Sequence, residues 1–155
     1  MNIQICTKES FAVVGKEGST KDGKDFIQNL WQDANSHFNE VESIVKKDET
    51  GTLLGIWGAM SDYSHQFAPW EDDFSQGLYL AGVECVNEAV PPKGWIKWTI
   101  PGYEYLYVEK EKETTFFEVI SYMKEKKIDL AGASHEFICP ETGKEYLFFP
   151  TKKLV

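Results

Sequence analysis

The chain has 155 residues, 25 acidic side chains against 16 basic ones, a net charge of −9 and 42% hydrophobic content. A single domain of this size buries roughly 70% of the surface that its unfolded chain exposes, so neither disulfides nor a metal is needed to hold it together. Every basic residue is Lys. An acidic chain without Arg lacks the side chain suited to bidentate phosphate and guanine contacts, which excludes direct nucleic-acid binding as a leading function. The longest apolar runs, 53–60 and 78–83, fall far below the roughly 20 residues that cross a bilayer. Residues 1–14 lack the basic start and sustained apolar stretch of a signal peptide, so a cytoplasmic location without membrane contact is expected.

In chain order, the run 10–16 reads as a strand. From about residue 24 to 46, Phe26, Ile27, Leu30, Trp31, Ala34, Phe38, Val41, Ile44 and Val45 recur at helical spacing, which predicts one long amphipathic helix. Runs 52–60, 77–86, 95–100 and 103–109 follow as strands rich in Val, Ile, Leu and aromatic residues, bounded by Gly, Pro, Asp and Asn. A second helix is predicted from Thr115 to about Lys126, opened by a capping box of Thr115 and Glu118 and buried through Phe116, Phe117, Ile120 and Met123. Runs 135–139 and 145–149 complete the strands. The order predicts a β-α-β-β unit written twice in a single domain over 1–155, with pseudo-repeats at about 1–88 and 94–155. The expected fold class is α+β: a largely antiparallel sheet with two helices on one face and a ligand groove on the other.

Strand alternation suggests which side chains share that groove. Tyr103, Tyr105 and Tyr107 lie on one face of their strand, while Leu106 and Val108 point toward the helices. Phe137 and Cys139 suit the helix side, which would send Glu136 to the tyrosine face. A carboxylate among tyrosines would attract a flat or lipophilic cation by charge and cation–π contact, although the same rings could simply cover an amphipathic sheet. The segment 65–74 places Phe67, Trp70 and Phe74 in what would ordinarily be a polar connection, either as a lid over the groove or as a plug beneath the loop. Trp98 is a further candidate in a strand.

Other chemistry has little support. His37, His65 and His135 show no metal-ligand spacing, and no cofactor or metal is expected. Cys6, Cys85 and Cys139 are odd in number with no C-x-x-C pair, as for reduced core thiols. Phosphate-cradling glycine motifs and a G-x-S-x-G elbow are absent.

The stretch Leu78-Tyr79-Leu80-Ala81-Gly82-Val83-Glu84, the strand entry Ile100-Pro101-Gly102-Tyr103-Glu104-Tyr105, and His135-Glu136-Phe137 followed by a strand ending Phe148-Phe149-Pro150 resemble the GyrI-like small-molecule-binding domain. That domain also forms the effector-binding half of AraC-type multidrug-sensing regulators. The resemblance implies a pseudo-twofold pair of β-α-β-β units, a groove for lipophilic and often cationic compounds, a central glutamate matched by Glu136, and a groove tyrosine matched by Tyr105. No helix-turn-helix is recognised, so the resemblance is to the standalone members. The implied function is sensing or sequestration of a lipophilic small molecule. Glu136, Tyr103, Tyr105, Tyr107, Phe67, Trp70 and Trp98 are the expected contacts. Two alternatives follow from the same resemblance: a hydrolase opening cyclopropane-containing DNA-alkylating natural products through Glu136 and Tyr105, and a protein-binding module such as a gyrase inhibitor.

Overall fold

Antiparallel strands joined by two-residue links must end close together, and this constraint shapes the whole molecule. In the computed structural model, which describes residues 1–155, the strands are β1 (Gln4–Lys8), β2 (Phe11–Ser19), β3 (Ile56–Ser61), β4 (Leu78–Cys85), β5 (Ile96–Ile100), β6 (Tyr103–Glu109), β7 (His135–Ile138) and β8 (Glu145–Lys153). They form one antiparallel sheet in the order β1-β6-β8-β7-β3-β4-β2-β5. Six strand spacings separate β5 from β6, about 29 Å if the sheet were flat, yet only Pro101 and Gly102 connect them, a reach of about 11 Å. The same holds for β1 and β2, joined by Glu9 and Ser10. The sheet is therefore curled into an open barrel. Its two ends meet inside, where Phe11, Val13, Trp98 and Ile100 pack in one cluster with Tyr103, Tyr105, Trp57 and Phe148.

The strand order reads the same from either end once the halves are exchanged. The sequence predicted one strand before the first helix, whereas two are found: β1 and β2 precede α1 (Phe26–Ser36), just as the predicted β5 and β6 precede α3 (Thr115–Glu125). The leading strand of each half pairs with the other half, β1 on β6 and β5 on β2. The axis of this symmetry passes between β3 and β7, where Gly58 lies opposite Glu136. Strand β1 escaped the sequence reading because it is an edge strand with little buried surface, its Ile5 being 62% exposed.

Both long helices lie on the outer face of the barrel. α1 places Phe26, Leu30, Trp31 and Ala34 on Tyr79, Ala81, Val83 and Val14. α3 places Val119, Ile120 and Met123 on Leu106, Val108, Leu147 and Phe149. The predicted helix over 24–46 stops at Ser36. Asn35, Ser36 and His37 are weak helix formers, and beyond them the chain gains sheet-like pairing instead, with Lys46 N–H donating to the Glu84 carbonyl and Val86 N–H to Ile44. Val41 and Val45 remain buried under α1, so the apolar spacing was real while the helix was not.

The capping box on α3 does not form. Thr114 is the N-cap without a side-chain bond, Thr115 Oγ1 accepts from Lys112 N–H, and Glu118 pairs with Lys112 at 3.1 Å. Phe117, expected in the core, is 51% exposed. A short turn, α2 (Glu71–Phe74), sits in the β3–β4 connection with Asp72, Asp73 and Phe74 all in the left-handed region. No helix is long and apolar enough to cross a membrane.

Candidate functional site

Register decides which face Glu136 occupies. It pairs with Leu147 on β8 and with Gly58 on β3, and Gly58 pairs in turn with Ala81 on β4. Leu147 packs under α3 and Ala81 under α1, so Glu136 stands on the helix face, in the cleft between the two helices. Tyr103, Tyr105 and Tyr107 point the other way, as their alternation with Leu106 and Val108 requires. Glu136 and the tyrosines of β6 therefore do not share a surface. The inward side chains of β7 are His135 and Phe137; Phe137 is apolar because it packs on Trp57 and Phe148 inside the barrel, not because it faces a helix.

The phenol beside Glu136 is one that the strand pattern did not single out. Tyr79 O–H donates to Glu136 Oε1 at 2.6 Å, and Trp31 Nε1–H donates to the Tyr79 oxygen at 3.0 Å. This contact crosses directly over Gly58, where a Cβ would collide with the Tyr79 hydroxyl and approach Glu136 Oε1 to 2.7 Å. Glycine is required at this position by the space, not by its backbone angles. Burial holds the Glu136 carboxyl above its usual range, opposed by the Tyr79 hydrogen bond and by Lys110. Burial also raises the Tyr79 phenol far above its ordinary value, reinforced by the Glu136 charge, so it stays a donor.

A cavity of about 370 Å³ opens beside this carboxylate. Its walls are Trp70 and Phe74 from the β3–β4 connection and Phe116 and Phe117 from α3, with Met60 and Glu136 in the floor. Trp70 is anchored, its indole N–H donating to the Leu78 carbonyl at 2.9 Å and its ring lying on Gly77. Phe74 edges against Phe116 at 5.3 Å and Phe117 at 6.3 Å, closing that wall from a backbone turn of three left-handed residues. Such a conformation costs of order 1 to 3 kcal/mol per residue and tends to collect at ligand clamps.

Of the expected contacts, Glu136 and Trp70 meet in this cleft. Trp98, Tyr103 and Tyr105 are inside the barrel and almost fully buried. Phe67 plugs its end, 5.7 Å from Trp98, so the segment 65–74 is part plug and part wall. Tyr107 lies at the barrel mouth, next to Phe148. The catalytic pairing of Glu136 with Tyr105 is not assembled, since the sheet separates them. Phe74 was expected as part of a lid or plug, whereas Tyr79, Trp31, Met60, Phe116 and Phe117 were not named as site residues. Only their aromatic or sulfur character could have flagged them, because apolar side chains alternate with apolar ones on β4.

The histidines lie apart: His37 beside Asp33, His65 beside Glu17, and His135 inside the barrel. His135 Nδ1 accepts from Met60 N–H at 3.0 Å, and complete burial pushes its pKa down to about 3. Cys85 is a core thiol, whereas Cys6 and Cys139 are partly exposed.

No protein-family model and no curated protein sequence matches the chain. Solved structures share its fold over almost its whole length. SAV2435 bound to tetraphenylphosphonium is 18% identical, with 98% of this chain and 94% of that chain covered and a TM-score of 0.69. A protein from Staphylococcus aureus MU50 is 16% identical, covering 98% and 99% with a TM-score of 0.63. EcmrR in its DNA complex is 10% identical, with 99% of this chain matching 58% of that one at a TM-score of 0.64.

Proposed function

We propose that this chain is a GyrI-like small-molecule-binding domain whose cleft between α1 and α3 takes lipophilic organic cations, for sensing or sequestration. The observation that carries this reading is the Glu136 carboxylate at the floor of a 370 Å³ cavity walled by Trp70, Phe74, Phe116 and Phe117. A few aimed polar groups in a concave, mostly aromatic pocket of this size are what small-ligand sites consist of. The other charged residues lining the cavity, Lys110 and Glu113, pair with each other at 4.0 Å. The buried Glu136 carboxylate is poorly solvated, so an organic cation restores what burial removed, and the rings add cation–π attraction of about 0.5 to 2 kcal/mol each. A strongly hydrated cation such as Na⁺ would lose too much water to compete. The Trp31–Tyr79–Glu136 hydrogen bonds fix the carboxylate before the ligand arrives, which lowers the ordering cost of binding. SAV2435, which shares the fold, binds tetraphenylphosphonium, a cation of this class.

Because burial raises the Glu136 pKa, cation affinity should fall as pH drops through that pKa and the carboxylate gains a proton. The test is calorimetry with tetraphenylphosphonium and with neutral triphenylphosphine oxide. Glu136→Gln is expected to weaken the cation by about 1 to 3 kcal/mol, the worth of a charge-assisted contact, and to change the neutral compound little. Equal losses for both compounds would make Glu136 a structural residue and overturn the assignment.

A further inference from the structure

The tyrosine stripe of β6 ends in Tyr107, which the cleft leaves unused. At that end of the barrel a second cavity, of about 870 Å³, opens between the start of β1, the end of β6, the β7–β8 turn and the first turn of α3. It shares no lining residue with the cleft. Phe137 lines one and Glu136 the other, so adjacent residues of β7 serve opposite faces of the sheet.

Rings make the floor of the mouth. Tyr107 and Phe148 stack in parallel, with centroids 4.8 Å apart and planes at 7°. Tyr146 stands steeply to Tyr107 at 6.3 Å and 72°, and Phe137 lies 6.3 Å from Tyr146. Three of the four rings keep part of their surface exposed, unlike the nearly buried Tyr103 and Tyr105 further in. The charged side chains lining the cavity are Glu109, Glu111, Glu118 and Lys112; Lys112 is paired with Glu118 at 3.1 Å and Glu109 with Lys144 at 3.8 Å, which leaves Glu111 as the carboxylate without an ion pair. Exposed π-faces at steep angles beneath an acidic rim offer stacking and negative potential together.

We propose that the barrel mouth is a second binding site, for flat organic cations, that works independently of Glu136. A flat ring system lies across the exposed surfaces of Tyr107, Tyr146 and Phe137, with its charge toward the glutamate rim. The site rests on its own cavity and stands or falls separately from the cleft.

Cys139 lines the same cavity and supplies a reporter. Hydrogen bonds from Thr142 and Glu141 hold its thiol below the ordinary range, while burial raises that of Cys6, so Cys139 is the faster of the two to alkylate. The experiment follows iodoacetamide labelling of Cys139 by peptide mass spectrometry, with ethidium as the flat cation and phenanthridine as a flat neutral compound. Ethidium at saturation is expected to slow labelling about fivefold or more, equally in the wild type and in Glu136→Gln. Tyr146→Leu is expected to weaken this protection about three- to tenfold in ethidium concentration, the worth of one stacked ring. Glu111→Lys, an exposed change that leaves packing intact, is expected to weaken it by a similar factor and keeps the test open should Tyr146→Leu not fold. Protection that disappears in Glu136→Gln, no protection at all, or protection indifferent to Glu111→Lys would each overturn the proposal. Equal protection by phenanthridine would overturn the cation assignment. Loss of tetraphenylphosphonium binding in Glu136→Gln with Cys139 protection unchanged separates the two sites.

Discussion

The inside of the barrel and the cleft outside it are built from the same kinds of residue and behave differently because of what closes over them. Inside, the curled sheet packs its own rings together: Trp57 lies 5.0 Å from Phe11 and 4.8 Å from Phe137, and Tyr105 lies 5.6 Å from Phe148. The rings fill one another's space there, and room opens only at the mouth beside Tyr107. Outside, two helices cover the flanks of the sheet and leave its centre, Gly58 opposite Glu136, between them. Aromatic richness alone therefore does not make a cavity; incomplete coverage of the sheet does.

This contrast is broken most directly by emptying the interior. Trp98→Ala is expected to lower unfolding free energy by about 3 to 5 kcal/mol, the range for removing a core ring, measured by urea denaturation. A loss below about 1 kcal/mol would mean that the interior is loosely filled and open to ligands after all.

His135 probes the same interior through pH. Its folded pKa, about 3, lies below the unfolded value near 6.5, so the unfolded chain binds the extra proton between those values. The contribution to stability is complete above about pH 6.5 and is lost as pH falls toward 3. By pH 4.5 the loss is about 3 kcal/mol. Denaturation midpoints between pH 7 and 4.5 should show this slope in the wild type and a flatter one in His135→Gln. Identical slopes would place the acid sensitivity elsewhere.

Gly58→Ala tests how closely the two regions are fitted at the symmetry axis. The added methyl meets the Tyr79 hydroxyl and Glu136, so a cost of about 1 to 3 kcal/mol in stability is expected, with weaker tetraphenylphosphonium binding as the pair is displaced. Unchanged binding would show that the Tyr79–Glu136 contact does not organise the cleft.

Smaller effects are expected in the cleft itself. The raised pKa of Glu136 means that its charge opposes folding once pH passes through that pKa, and the group contributes fully only below its unfolded value. Glu136→Gln should therefore raise the neutral-pH melting temperature slightly while weakening cations; a lower melting temperature would argue against a burial cost at this carboxylate. Phe117→Ala should change stability by less than about 0.5 kcal/mol, as for an exposed position, and still reduce tetraphenylphosphonium affinity. Unaltered affinity would remove α3 from the ligand wall.

Several of these residues could be read from the chain alone. The Phe116 to Met123 spacing predicted α3, the Pro101-Gly102 link separated β5 from β6, and Glu136 stood out as a carboxylate in an apolar strand. Sequence also set which side chains of β6 lie together, because strand geometry alternates them without reference to any partner. It could not say which face of the sheet each set occupies. Both faces here are buried, one by the curl of the sheet and one by helices, so apolar residues alternate with apolar ones and polarity carries no label for inside or outside. The pairing of Gly58 with Glu136, the reach of Tyr79 over that glycine, and the separation of Glu136 from Tyr105 all depend on register between strands far apart in sequence. Those contacts exist only once β7 lies against β3 and β8, and it is tertiary structure, not local pattern, that puts it there.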